Sequence, residues 1–277
     1  MKLGFITAWL ALVACSLQAQ PRTYTVSNAH SHNDYEQKVP FWLAYNEGFG
    51  SIEADIFLRQ DSLVVAHSTK ELALQRTLEA WYLDPLLAGV RKHGGRPYGA
   101  AGGVLQVLID IKTDSIHTLD RLIEVLKKYP ELTGNPNIKF VITGNRPSPS
   151  LWPTYPAWIW FDGVLSDTYD KTAMARVVML SDDFKVFSKW NGIGAIPAAD
   201  LERIEAGISK AHEWKKTVRF WDAPDLTNAW DQFMHLGVDY INTDHIAALS
   251  EYLHHQSKTA NMGSGDGGKS RSTPPGN

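Results

Sequence analysis

Short runs rich in β-branched and aromatic residues alternate along this chain with stretches whose apolar residues recur every three to four positions. That alternation predicts a parallel sheet built from βα units. Eight runs read as strands, over 24–30, 51–57, 104–111, 138–143, 163–166, 185–188, 217–221 and 240–243. Helices are expected between them, over 41–46, 71–91, 118–128, 172–179, 200–214 and 226–236. An additional short strand, 63–66, follows the turn residues Gln60-Asp61-Ser62. Eight parallel strands separated by helices within roughly 240 residues give an α/β fold of the (β/α)₈, or TIM-barrel, type. A doubly wound sheet is second choice. No glycine-rich dinucleotide loop and no G-x-x-x-x-G-K-[ST] sequence follows the first strand.

The charge balance removes one class of partner. Of 277 residues, 27 are Lys or Arg and 30 are Asp or Glu, for a net charge of −3, and no run of five like charges occurs. A general nucleic-acid binder needs a basic footprint to displace counterions, so nucleic acid is not expected. With 44% hydrophobic and 21% charged residues the chain can bury a substantial core. One uninterrupted apolar run exists, at 3–13, too short to cross a bilayer comfortably, and it reads as a secretory signal. Two cleavage sites compete. Either 1–19 is removed after Ala19, or Leu12-Val13-Ala14-Cys15 serves as a lipobox, ending the signal at Ala14 and acylating Cys15. Both imply export, to the periplasm, to the medium or to a membrane through the Cys15 anchor. Cys15 is the only cysteine, so no intrachain disulfide can form. A single barrel domain is expected over 20–258. The stretch 259–277 holds five Gly, two Pro and three Ser and reads as a disordered tail.

The residues with chemical potential fall at the carboxyl ends of the strands, where barrel enzymes carry their sites. The first strand runs into His30-Ser31-His32-Asn33-Asp34-Tyr35, and the additional strand ends at His67. The second contains Glu53-Ala54-Asp55, whose alternation puts both carboxylates on one face while Ile52, Ala54 and Ile56 turn to the helices. The third contains Leu108-Ile109-Asp110-Ile111-Lys112. Glu53, Asp55 and Asp110 therefore converge in the barrel mouth. Three carboxylates cannot all stay ionised in one pocket without a compensating cation. An all-oxygen set points to one hard divalent ion, Mg²⁺ or Ca²⁺, in preference to zinc.

These residues carry a resemblance. His32-Asn33-Asp34-Tyr35, Glu53-x-Asp55, His67 and Asp110-Ile111-Lys112-Thr113 resemble the superfamily of phosphatidylinositol-specific phospholipases C, glycerophosphodiester phosphodiesterases and sphingomyelinase D. The likeness is greatest to the phospholipase C-like proteins of the altered-inheritance-of-mitochondria type. It extends over His30-Ser31-His32, Ser51 to Asp55, and Thr77-Leu78-Glu79-Ala80-Trp81-Tyr82-Leu83-Asp84-Pro85-Leu86. Val218-Arg219-Phe220-Trp221 and Asn242-Thr243-Asp244 resemble the last two strands of the phosphodiesterases.

The resemblance implies a metal-dependent phosphoric diester hydrolase. His32 and His67 are its general base and general acid, with His30 the alternative base. Glu53, Asp55 and Asp110 hold the metal, Asn33 adds an amide oxygen, Lys112 lies near the phosphate and Trp221 lines the pocket. The substrate is a phosphodiester small molecule or a lipid head group, and contact with a membrane surface follows from the second. Two other readings compete. His-x-His at the end of strand one also marks zinc amidohydrolases, but Leu165-Ser166-Asp167 and Phe187-Ser188-Lys189, the expected ends of strands five and six, lack the further histidines. The other is a non-catalytic surface binding barrel with Trp152, Trp158 and Trp160 as an aromatic rim. The oligomeric state is open.

Overall fold

The computed structural model describes residues 23–99 and 103–263. The expected signal at 1–19, with its alternative at Cys15, lies outside the described residues, as does the tail from 264 onward. In chain order the elements are β1 (Ala29–Ser31), α1 (Trp42–Glu47), β2 (Ser51–Arg59), β3 (Ser62–Val65), α2 (Asp84–Lys92), β4 (Leu105–Ile111), α3 (Ser115–Leu126) and α4 (Pro130–Thr133). There follow β5 (Ile138–Gly144), β6 (Ile159–Val164), α5 (Lys171–Met174), β7 (Val177–Asp183), α6 (Phe184–Phe187), α7 (Ala198–Glu213), β8 (Thr217–Trp221), α8 (Thr227–Leu236), β9 (Ile241–Thr243) and α9 (Ile246–Gly263). α9 thus continues five residues into the stretch read as tail.

Eight parallel strands pair in the order β8-β7-β6-β5-β4-β2-β1-β9, and an isolated parallel bridge between Arg219 and Tyr240 joins the two ends into a nearly closed TIM barrel. β3 folds back antiparallel on β2, which delivers His67 to the mouth. Between barrel and helices lies the main core. Ile52, Ala54 and Ile56 of β2 and Val107, Ile109 and Ile111 of β4 pack there with Leu119 and Leu122 of α3, Ile204 and Ile208 of α7, and Phe233 of α8. The alternate residues point inward. Leu108, Val141 and Met179 form a separate cluster inside the barrel, backed by Trp160 and Tyr240. Leu108 pairs with Glu53, so the plug lies one inward row below Asp55 and Asp110, with Ser51 and Gln106 one row beneath it.

Four expectations are corrected. β1 starts at Ala29, because Thr25 and Asn28 form a capping box that turns Val26–Asn28 into a helical turn. The helix read over 71–91 is broken into a 3₁₀ turn (Thr69–Leu74), a π-helical turn (Glu79–Leu83) and α2, with Gln75 in the left-handed region between the first two. β6 begins at Ile159, four residues before the expected start. The expected helix 172–179 and strand 185–188 exchange character in part: α5 stops at Met174, β7 occupies Val177–Asp183, and α6 covers Phe184–Phe187. A continuous apolar run has no period that separates strand from buried helix. Asp183 decides the boundary, since its side chain accepts from Lys185 N and caps α6.

The tryptophan rim is also absent. Trp152 is buried and stacks on Phe161 at 4.5 Å between centroids. Trp160 opens β6 at the opposite end of the barrel from the mouth and packs on the inner plug. The corrected ends of strands five and six, around Val164 and Ser181-Asp182-Asp183, still carry no histidine.

Candidate active site at the carboxyl end of the barrel

A cavity of about 610 Å³ opens at the carboxyl ends of the strands, lined among others by His32, Asn33, Glu53, His67, Asp110, Lys112, Arg219, Trp221 and Asp244. Strand register builds its acidic floor. Asp55 on β2 pairs directly with Asp110 on β4, and Glu53 sits two residues earlier on the same face. One ligand atom from each of the three lies within 4.8 Å of the others. Lys112 Nζ bonds Asp55 Oδ2 and Asp110 Oδ2, each at 2.9 Å.

Those contacts leave Asp55 Oδ1 and Asp110 Oδ1 buried without a partner. Gly144 at φ +68° keeps the space beside Asp110 free, for a Cβ there would lie 1.8 Å from Oδ1. Orphaned carboxylate oxygens are costly unless something satisfies them. Three hard oxygen donors around two such atoms fit a divalent cation. Burial and the charges of Glu53 and Asp110 push Asp55 up to about 7, against the pull of Lys112. Burial likewise raises Asp110, partly offset by Lys112. Burial works against charge on Lys112, but the two aspartates outweigh it and raise its pKa.

Glu53 is treated differently. Burial opposes its charge, yet the hydrogen bond from His30 and the Arg219 guanidinium hold it below the usual carboxylate range. Glu53 Oε2 lies 2.8 Å from His30 Nε2 and 3.1 Å from Arg219 Nη1. His30 Nδ1 lies 2.8 Å from Ser51 Oγ, which also accepts from Gln106 Nε2 at 3.1 Å. His30 Nε2 also lies 2.7 Å from Arg219 Nη1, so this ring nitrogen is shared between the Glu53 carboxylate and the Arg219 guanidinium. His30 is fully buried, and burial together with Arg219 lowers its pKa to about 4. It is a neutral strut beneath the floor and does not line the cavity.

His32 reaches the cavity. Its Nδ1 lies 2.8 Å from Asp244 Oδ1, in the loop after β9. Burial disfavours its charged form, but the Asp244 hydrogen bond and the Glu53 charge prevail and raise its pKa. His67 faces the same cavity, half exposed, with Nδ1 3.1 Å from the Tyr35 hydroxyl. That hydroxyl lies 2.7 Å from Asp55 Oδ2 and 2.8 Å from Asn33 Oδ1, so Tyr35 ties the acid floor, His67 and Asn33 together. Asn33 adopts φ 44° and ψ 42°, the left-handed conformation Asn tolerates. Trp221 stands on the wall, 40% exposed.

Arg219, Asp244 and Tyr35 stand in the motifs but had been assigned no role. Arg219 had a legible signal, since it shares the inward face of β8 with Trp221 two residues away. Asp162, buried on β6 and accepting from Thr143 Oγ1 at 3.1 Å, escaped because that strand was placed too late. Asp244 carried no local signal, being 212 residues from His32.

The AIM6-like phosphodiesterase domain matches residues 21–97, and the glycerophosphoryl diester phosphodiesterase family matches 217–247. Among curated proteins, an altered inheritance of mitochondria protein 6 homolog from Arthroderma benhamiae is 27% identical over 81% of this chain and 83% of its own length. Altered inheritance of mitochondria protein 6 from Eremothecium gossypii is also 27% identical, over 82% and 69%. Two solved structures share the fold. A glycerophosphodiester phosphodiesterase from Parabacteroides distasonis superposes with TM-score 0.53 at 13% identity, covering 83% of this chain and 98% of that one. A calcium-dependent phosphoinositol-specific phospholipase C from a Pseudomonas species gives 0.53 at 12%, covering 80% and 89%. The chain is thus similar to AIM6-like proteins along most of its length, and it shares its fold with a glycerophosphodiester phosphodiesterase and a phospholipase C.

Proposed function

We propose that this chain is a metal-dependent phosphodiesterase that cleaves a phospholipid or glycerophosphodiester head group by histidine acid-base catalysis. One observation carries the reading: three clustered carboxylates hold two orphaned buried oxygens, and two of the three, Glu53 and Asp110, line one cavity with His32 and His67. The names of the matched family and of both structural neighbours, which are phosphodiester-processing enzymes, support phosphodiesterase activity in general. A phosphodiester bears its charge on nonbridging oxygens, and cleavage requires one proton removed from the nucleophile and one given to the leaving alkoxide. Asp244 fixes the His32 proton on Nδ1 and leaves Nε2 to act as base. His67, across the cavity, protonates the leaving oxygen. Lys112 supplies a point charge for the phosphate. Glu53, Asp55 and Asp110 would hold one divalent cation, Mg²⁺ or Ca²⁺, which neutralises charge on the phosphoryl oxygens when bound. The neighbour from Pseudomonas is named as calcium-dependent.

The mouth also fits a lipid surface. Val186 in α6, Ile193 in the loop before α7, Trp221 at the end of β8 and Leu226 just before α8 are exposed apolar residues on the segments that follow β7 and β8. Those segments are stitched together by Asn228 Nδ2, which donates to Gly192 O and Gly194 O. In this reading the exported chain meets its substrate at a membrane or micelle. Hydrolysis of bis-p-nitrophenyl phosphate and of a lysophospholipid, with and without EDTA, tests the proposal. Turnover abolished by EDTA and restored by Mg²⁺ or Ca²⁺ is expected; turnover indifferent to EDTA removes the metal, and no turnover at all leaves a binding barrel.

A further inference from the structure

The barrel has one weak seam, because β8 and β9 are joined by a single bridge, Arg219 to Tyr240, well below the mouth. Asp244 follows β9, whose ladder with β1 runs as far as Thr243, and Gln37 Nε2 donates to the Asp244 carbonyl at 2.9 Å, but on the β8 side no strand pairing reaches it. A carboxylate that must orient an imidazole needs a fixed backbone, since displacement by about 1 Å is enough to spoil the alignment. On that open side the fixing contact comes from across the seam. Asp225, in the loop between β8 and α8, accepts from Asp244 N at 2.8 Å and Thr243 Oγ1 at 3.0 Å through Oδ2. Its other oxygen accepts from Trp230 Nε1 at 2.8 Å, a side chain of α8 that is 4% exposed. Thr243 O in turn accepts from His32 N at 3.1 Å. Asp225 thus connects a rigid, buried anchor on one side of the seam to the turn that presents Asp244 to His32 on the other.

We infer that Asp225 is a positioning residue: it holds the loop after β9 so that Asp244 keeps the His32 proton on Nδ1, and it touches no reacting atom. The inference rests on the assignment of His32 as base, but the structural half of it can be read without turnover. Ring ¹⁵N shifts of His32, measured with the imidazole neutral, report which nitrogen carries the proton. Wild type is expected to show Nδ1–H. Asp225→Ala is expected to show a mixture with Nε2–H, as is Asp244→Ala.

In kinetics with bis-p-nitrophenyl phosphate, Asp225→Ala should lower kcat by up to about 100-fold with KM within roughly twofold. Adding Asp225→Ala to Asp244→Ala should cost nothing further, because the two act through one contact. Asp225→Asn, whose amide oxygen can still serve Asp244 N and Thr243 but whose amide nitrogen cannot accept from Trp230 Nε1, should recover only part of the loss. Should the alanine variant fail to fold, Asp225→Glu keeps the charge with its oxygens one methylene out of place and is expected to lose the Nδ1–H signature. An unchanged signature in a folded Asp225→Ala or Asp225→Glu protein overturns the inference, as do losses in kcat that multiply with those of Asp244→Ala. If the nitrogen shifts respond as expected but wild type turns over no diester, the proposed function fails and the positioning role stands.

Discussion

Asp55 is the residue on which the metal assignment turns, since it is fully buried between two other carboxylates and has one oxygen without a partner. Asp55→Asn removes one of three charges whose repulsion an ion relieves, while keeping the shape of the side chain. Calorimetric titration with Mg²⁺ or Ca²⁺ should show most of the affinity gone and the melting temperature of the metal-free protein retained; wild-type affinity in this variant would remove the site. For the histidines the expected loss in turnover is roughly 10²- to 10⁴-fold for His32→Ala and for His67→Ala, with the fold intact. His30→Ala belongs to another category. It empties a buried position and takes the imidazole from Ser51 and Glu53, whose side chains keep only their contacts with Gln106 and Arg219, so it should lower the denaturation midpoint before any kinetic effect can be assigned. Should His30→Ala fold normally and be inactive while His32→Ala is fully active, the base is His30. These roles were legible as residue types, but the difference between a buried strut and a cavity-facing base two residues apart was not. It depends on where β1 ends, at Ser31, so that His30 lies within the strand and His32 just beyond it, beside the left-handed Asn33.

Among the elements, the connection from β1 to α1 depends on Asp34. Its carboxylate accepts from Ser31 Oγ at 2.8 Å, Phe41 N at 2.6 Å and Tyr82 Oη at 3.0 Å, drawing the loop onto the π-helical turn. Phe41 sits at φ 62° and ψ −55°, a backbone conformation that a bulky residue holds only under such restraint. Burial raises the Asp34 pKa from 3.8 to about 6, in spite of the three donors. A folded-state pKa above the unfolded one means that the folded protein binds the proton more tightly. Its contribution is therefore fully present below pH 3.8 and is lost as pH rises through about 6. At about 1.4 kcal/mol per pK unit the change is about 3 kcal/mol. Asp34→Asn cannot ionise, so chemical denaturation at pH 4, 5, 6 and 7 should show wild type losing stability relative to the variant across that interval. A constant difference would place the Asp34 pKa near its ordinary value. The element boundaries that misled the sequence reading have a common cause. Val177-Val178-Met179-Leu180 is apolar on both faces because β7 is sandwiched between the barrel interior and the helices, so period alone could not assign it.

The whole molecule has an open mouth. Between His67 and β4 the described chain forms only the 3₁₀ turn, the π-helical turn and α2, and Tyr82, Leu83, Leu86 and Val90 are spent on the outer core. Little of it remains to cover the cavity. A mouth without a cap surrounds a small polar diester poorly but admits a head group whose tail stays in a membrane. Lysophospholipids or phosphoinositide-like diesters are accordingly expected to show higher kcat/KM than glycerophosphocholine or glycerophosphoethanolamine under one set of metal and detergent conditions. The reverse order would mean that another loop closes the pocket, and the segment from Pro147 to Trp160 is the nearest in length. By itself the sequence determined the barrel class, through strand and helix patterns that alternate along the chain, although the strand expected over 185–188 is α6 and β7 lies ahead of it. It also determined the acidic floor, because period-2 alternation puts Glu53, Asp55 and Asp110 inside any barrel that closes with these strands adjacent. Only the tertiary structure decided which histidine reaches the cavity, that Lys112 bridges two of the acids, that Arg219 pairs with Glu53, and that Asp225 and Asp244 join the site. Alternation along a strand is a local property of the backbone, whereas these contacts join residues up to 212 positions apart, and those of Arg219 and Asp225 exist only once the two ends of the sheet meet.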